Sequence, residues 1–319
     1  MNSNWTDFLR TGYGATVTGT DISFPVTQPN SGKQIYALSS LAVLTVAGKD
    51  AGQFLQGQIT CNINEITEKQ SSFGALCNPK GQVIATFLLI KTAASFLMVL
   101  PDTLLDTVKN RLQKYILRAA VTLADSRDSL CLIGLCDSAI PAEPLLATSQ
   151  NDLIRINFGG RYLVVATPDA AIGFWSEHVN TLGFAAENSA HWHYLDIIAG
   201  IPWLTMETSE QFIPQMLNLD NLGAISFTKG CYTGQEIVAR THYLGKAKRA
   251  LFVAECAAPA PAANAVISDD SGQAVGKVLL AGQHEGCCKM LVVLQLSDRD
   301  YDQLKLHDHP NHPLTLVNT

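Results

Sequence analysis

At 319 residues, with 47% apolar and 16% charged side chains, the chain is long enough for two or three domains and apolar enough for a sizeable core. A formal net charge of -6 gives the whole molecule no general attraction for nucleic acid or anionic membranes. Eight cysteines, at 61, 77, 131, 136, 231, 256, 287 and 288, hold no C-x-x-C pair and no zinc or disulfide framework, so a reducing cytosol is the expected setting and no metal site is expected.

Residues 1–14 lack an apolar h-region, and neither a secretory signal nor a transit peptide is expected there. Residues 41–46 are apolar and β-branched and read as a strand that Gly48 closes, with Asp50 capping a short helix through Leu55. Two strand-like runs, 72–77 and 82–90, flank Asn78-Pro79-Lys80-Gly81, whose residues occupy the positions a type I turn favours, so a hairpin is predicted. The run 83–100 is apolar enough to suggest a membrane span, but Lys91 and the small residues 92–95 break it into two strand lengths. Pro101-Asp102 opens a helix carrying Leu104, Leu105, Val108, Leu112, Tyr115 and Ile116 at helical spacing. A strand returns at 120–123. Strands at 130–135, 153–158 and 162–166, with a helix at 168–182, make a compact α+β middle unit. A helix runs from His191 to Ala199 and stops at Gly200-Ile201-Pro202. Residues 257–263 connect within a last β-rich domain, whose strands are expected at 266–268, 274–280 and 290–296. His307, Asp308, His309 and His312, with Pro310 and Pro313 among and after them, read as a flexible, solvated tail.

The stretch Phe227-Thr228-Lys229-Gly230-Cys231-Tyr232-Thr233-Gly234-Gln235-Glu236 carries the chemistry. Thr233 and Glu236 have capping-box spacing, which predicts a helix to about Arg240. Cys231 then lies just upstream of a helix N-terminus, with Lys229 adding a positive charge; both favour a thiolate if the residue is exposed, whereas burial would leave it inert. Lys229, Arg240, Lys246, Lys248 and Arg249 face only Glu236, and Lys109, Arg111, Lys114 and Arg118 form a second basic stretch. Each is either a solvated face or a surface for an anionic ligand or partner. No RNA-binding module signature is present. His191 and His193 alternate on their helix and form no metal pair.

Lys229-Gly230-Cys231-Tyr232-Thr233-Gly234-Gln235-Glu236 resembles the K-G-C-Y-x-G-Q-E signature of the YgfZ family of folate-binding proteins. Gln56-Gly57-Gln58-Ile59-Thr60, Lys80-Gly81, Gly200-Ile201-Pro202, Phe212-Ile213-Pro214-Gln215, Asn218-Leu219-Asp220 and Gly245-Lys246 agree in order. The resemblance implies an α+β fold like the T-protein (aminomethyltransferase) of the glycine cleavage system: a three-domain ring with a ferredoxin-like middle unit and a C-terminal β-barrel. The expected regions are 1–125, N-terminal and folate-binding in type; 126–185, the middle unit; 186–250, completing the folate site; and 251–319, the barrel. It implies a cytoplasmic, monomeric protein that binds tetrahydrofolate and supports iron–sulfur enzymes, notably those that modify tRNA. Cys231 would be the functional thiol, with Lys229, Gly230, Tyr232, Gly234, Gln235 and Glu236 shaping its loop, Arg240 beside them, and Trp192 as the pterin's aromatic contact. A second tryptophan expected on the first strand falls at Leu41. T-proteins place adjacent aspartates where this chain has Ala85 and Thr86, neither of which ionises, and the T-protein segment before Ala-Gly here reads Asp196-Ile197-Ile198-Ala199-Gly200. The acid or base of aminomethyl transfer is therefore missing, and the fold is expected without that chemistry. The alternatives are a folate-dependent one-carbon transferase and a scaffold binding tRNA or a tRNA-modifying enzyme.

Overall fold

The computed structural model of the chain describes residues 2–25, 32–141, 143, 145–150, 152–245, 247–296 and 303–317, with the backbone alone for 309–311. Lys246 and the His309 side chain, both singled out above, lie outside the described residues. The chain divides into two compact units. The first comprises Met1–Leu55, Ile63–Ser72 and Phe87–Trp192, the second Gln56–Asn62, Phe73–Thr86 and His193–Thr319.

In the first unit a six-stranded sheet follows the order Ala147–Gln150, Leu153–Asn157, Arg161–Ala166, Cys131–Cys136, Gln34–Ala37, Ala185–Glu187, antiparallel except for the last pair. Helices Ser3–Tyr13 and Pro168–Asn180 supply much of its core. The first is set by its ends: Asn2 Oδ1 accepts from the Trp5 N–H at 3.1 Å, and Gly14 closes it at φ 68°. Trp5 and Leu9, one turn apart, bury with Ile35, Ile133, Val164 and Trp175, and each such side chain stabilises by about 1.5–3 kcal/mol. A second antiparallel layer pairs Leu41–Ala47 with both Ser95–Pro101 and Thr122–Asp125. Helix Leu105–Gln113 buries Leu105, Val108 and Leu112, the helical spacing read from the sequence.

The second unit holds the predicted hairpin turn and a closed six-stranded barrel. In the turn the Gly81 N–H donates to Asn78 O at 2.9 Å, and Asn78 Oδ1 accepts from the N–H groups of Lys80 and Gln82. The barrel runs Arg249–Cys256, Cys287–Gln295, Ala274–His284, Val266–Ser268, Leu304–Leu306, His309–Val317, and closes where Val253–Glu255 pairs Thr315–Val317. Residues 309–317 are thus a barrel strand and not the solvated tail their prolines suggested. Leu314 packs in the same core as Ile267, Val278, Met290 and Val292, and that burial outweighs the prolines. Among the described residues no helix is long and apolar enough to cross a membrane.

Candidate functional site

The loop carrying Cys231 rests on segments of the second unit, among them three that carried the resemblance, at 56–60, 80–81 and 212–215. Lys229 is 8% exposed, and its Nζ donates to Ile59 O at 2.8 Å and Cys61 O at 2.7 Å. The same ammonium lies 5.2 Å from the centre of the Tyr232 ring, which is itself buried. Burial and the neighbouring Cys77 raise the Tyr232 phenol well above its ordinary value, so it stays protonated and neutral, and burial pushes the Cys77 thiol up to about 12. Thr60 joins three segments: its Oγ1 donates to Ala224 O and accepts from the Ala75 N–H, and its carbonyl accepts from the Ser226 N–H.

Beyond the cysteine, Gly234 packs into the hairpin turn. It takes φ 84°, and a Cβ there would lie 2.5 Å from Asn78 O and 2.9 Å from Gly81 Cα. Only glycine fits that approach. The helix then runs Gln235–Leu244, longer than predicted, with Gly234 as its N-cap and no side-chain cap. The predicted Thr233–Glu236 capping box does not form. Gln235 instead turns back, its Oε1 accepting from the Tyr232 N–H at 3.3 Å, and Glu236 pairs with Arg240 at 2.9 Å on the exposed face. Gln215 ties the helix through Nε2 to Val238 O at 2.7 Å, and Asn218 bonds both ways with the Leu251 backbone of the barrel.

Cys231 itself is exposed, four residues before the helix begins. A Cβ at Gly230 would touch nothing, so space does not require that glycine. Of the predicted residues, Cys231, Gly230, Glu236 and Arg240 face solvent, while Lys229 and Tyr232 are internal supports. Sequence reasoning gave Lys229 to the thiol as a nearby charge; it missed that the ammonium is engaged by Ile59 O and Cys61 O.

Trp192 closes the first unit and is 1% exposed. The Arg161 guanidinium sits 4.3 Å from the centre of its ring, Phe158 stacks at 6.2 Å, and a Cβ at Gly134 would come within 2.4 Å of the indole. Trp192 Nε1 has no hydrogen-bond partner among the described residues, which leaves one buried donor for a polar ligand atom. A pterin stacked on this ring requires Arg161 to leave it. Leu41, at the other expected aromatic position, is buried. Among the described residues no group of three or more His, Cys, Asp or Glu side chains is placed to hold a metal ion.

No family model matches the chain. A tRNA-modifying protein YgfZ from Colwellia psychrerythraea is 34% identical over 227 residues, covering 67% of this chain and 69% of the relative. Another tRNA-modifying protein YgfZ, from Klebsiella pneumoniae, is 32% identical over 305 residues, covering 88% and 92%. The chain belongs to the YgfZ family. Its fold matches the glycine cleavage system aminomethyltransferase T from Bartonella henselae with a TM-score of 0.78, over 100% of this chain and 97% of that one, at 13% identity. The aminomethyltransferase-like fold and C-terminal barrel expected from the resemblance are therefore borne out, and at that identity the likeness is one of fold. In this YgfZ-family chain Ala85 and Thr86 are both buried, and Thr86 Oγ1 donates to Pro202 O at 2.7 Å. Where the sequence comparison expected a T-protein carboxylate, the chain has a methyl group and a hydroxyl already hydrogen-bonded within the fold.

Proposed function

We propose that the chain is a tetrahydrofolate-binding accessory protein that supports iron–sulfur enzymes and, through them, tRNA modification, with Cys231 as its functional thiol. The observation that carries this reading is one exposed cysteine on a loop whose neighbours, Lys229 and Tyr232, are buried and tied down. A thiol held outward in this way is accessible to a partner, and the rigid base fixes where it is offered. The names of the two relatives support the tRNA end of the reading, and the aminomethyltransferase-like fold supports the folate end. Tetrahydrofolate, when bound, supplies a one-carbon carrier and an oxidisable pterin. Trp192 would offer it the Nε1 donor and, once Arg161 moves aside, a ring face. The cluster is cargo: one thiolate cannot hold it alone, since the common clusters take four protein ligands, so the client or a second copy completes the set.

Aminomethyl transfer by this chain is disfavoured, because Ala85 and Thr86 cannot move a proton as a carboxylate does. The test of the main reading is Cys231→Ala in a strain lacking the native gene. Loss of iron–sulfur enzyme activity and of thiolated tRNA is expected; unchanged levels would refute the role of the thiol. Anaerobic calorimetric titration with tetrahydrofolate is expected to show saturable binding that weakens in Trp192→Ala. Absence of binding by the parent chain would remove the folate half of the reading.

A further inference from the structure

The end of helix Gln235–Leu244 presents aromatic side chains to solvent. Phe227 and His242 stack in parallel, with ring centres 3.7 Å apart and planes 12° apart. Tyr243 stands edge-on to His242 at 4.7 Å, and its hydroxyl donates to Phe227 O at 3.4 Å. His242 is exposed, Tyr243 is 64% exposed and Leu244 84%. Arg240, Lys248 and Arg249 are exposed on the same stretch. From 227 to 249 the one acid is Glu236, which Arg240 neutralises at 2.9 Å.

Rings of this size usually bury, and here Phe227 is half-buried while His242 and Tyr243 are exposed, which leaves the stacked cluster partly open to solvent. An unpaired nucleobase stacks on such a face regardless of its sequence, while its phosphates meet Lys and Arg. An uncharged protein surface would use Tyr243 and Leu244 equally well, but it gives no reason for exposed cations to follow the rings so closely in the chain. We propose that Phe227, His242, Tyr243 and Leu244, with Arg240, Lys248 and Arg249, form a surface that binds unpaired RNA bases by stacking. On a chain of net charge -6 this surface is a local exception to the overall repulsion of RNA. Phe227 is four residues from Cys231, a chain reach of at most about 14 Å, so the RNA is held near the thiol. The proposal stands independently of folate binding and of any role for Cys231 in cluster chemistry.

The test is fluorescence anisotropy of the full chain with a labelled tRNA anticodon stem–loop and with a fully paired RNA duplex. The stem–loop is expected to bind more tightly, with affinity falling as salt rises. His242→Ala/Tyr243→Ala is expected to weaken stem–loop binding roughly tenfold or more and leave the weak duplex binding unchanged. His242→Phe/Tyr243→Phe, which keeps the rings, should retain stem–loop affinity. Lys248→Glu/Arg249→Glu should weaken both RNAs, and if the alanine pair does not fold, His242→Leu/Tyr243→Leu, which removes the rings and keeps apolar bulk, takes its place. Lys114→Glu/Arg118→Glu, in the other basic stretch, should change neither. Equal affinity for the duplex, an unaffected alanine pair, or no saturable RNA binding overturns the proposal. Capture of a tRNA-modifying enzyme through Tyr243 and Leu244, without RNA binding, overturns it in favour of a protein partner.

Discussion

Replacing Lys229 by methionine keeps the aliphatic stem and removes the ammonium that holds Ile59 O and Cys61 O at 2.8 and 2.7 Å. A hydrogen bond to a charged group contributes about 1.5–3 kcal/mol net, and the contact with the Tyr232 ring adds about 0.5–2 kcal/mol. Relief of the desolvated ammonium offsets part of this, so a local loss of about 2–4 kcal/mol is expected. Whole-chain melting is a poor readout, because a chain of two units need not unfold in one step. Amide hydrogen exchange reports the effect locally at Thr60 and Ser226, whose N–H groups donate to Ala75 O and Thr60 O. Both should exchange roughly thirty to a thousand times faster in Lys229→Met. Protection unchanged within about threefold, with slower alkylation of Cys231, would show that Lys229 acts as a charge on the thiol and that the strut reasoning is wrong.

Gly234→Ala places a Cβ 2.5 Å from Asn78 O at φ 84°, so a local loss of at least about 1–3 kcal/mol is expected, read as faster exchange of the Gly81 N–H that bonds Asn78 O. Gly230→Ala, with nothing near its Cβ, should stay within about 0.5 kcal/mol of the parent. Burial lowers the pKa of His178 below its ordinary 6.5, only partly offset by the bond to Phe174 O. A lowered pKa means that this contribution to stability is present above about pH 6.5 and is lost as pH falls through the folded value. The Cys131–Cys136 sheet unit should therefore loosen as pH falls below about 6.5, as followed by exchange, and His178→Gln should flatten that dependence.

The elements legible in the sequence were those whose cause is local. Asn78 through Gly81 encode their turn in four residues, and the apolar runs on either side of Lys91 are long enough to read as strands without partners. Strands Gln34–Ala37 and Ala185–Glu187 are three or four residues long and are set by distant partners, the first by antiparallel pairing with Cys131–Cys136 and the second by parallel pairing with the first, which no local pattern announces. The Ser3–Tyr13 helix carries local signals too, with Asn2 and Gly14 at its ends and Trp5 and Leu9 on its buried face. At the site, the eight-residue signature located the exposed thiol. Its geometry was not legible, because Lys229 meets carbonyls about 170 residues away, and the contact with Asn78 and Gly81 displaced the helix cap to Gly234.

That long reach also sets an order of events during synthesis. The Ile59 and Cys61 carbonyls leave the ribosome before most of the chain exists, and Lys229 follows only after well over a hundred further residues. At about 5–20 residues per second the interval is roughly ten to thirty seconds. For that time Gln56–Asn62 and Phe73–Thr86 belong to a unit whose remainder is still untranslated. The hairpin, buried on both faces in the finished fold, therefore waits with its apolar side chains uncovered until Lys229 and Gly234 have been made.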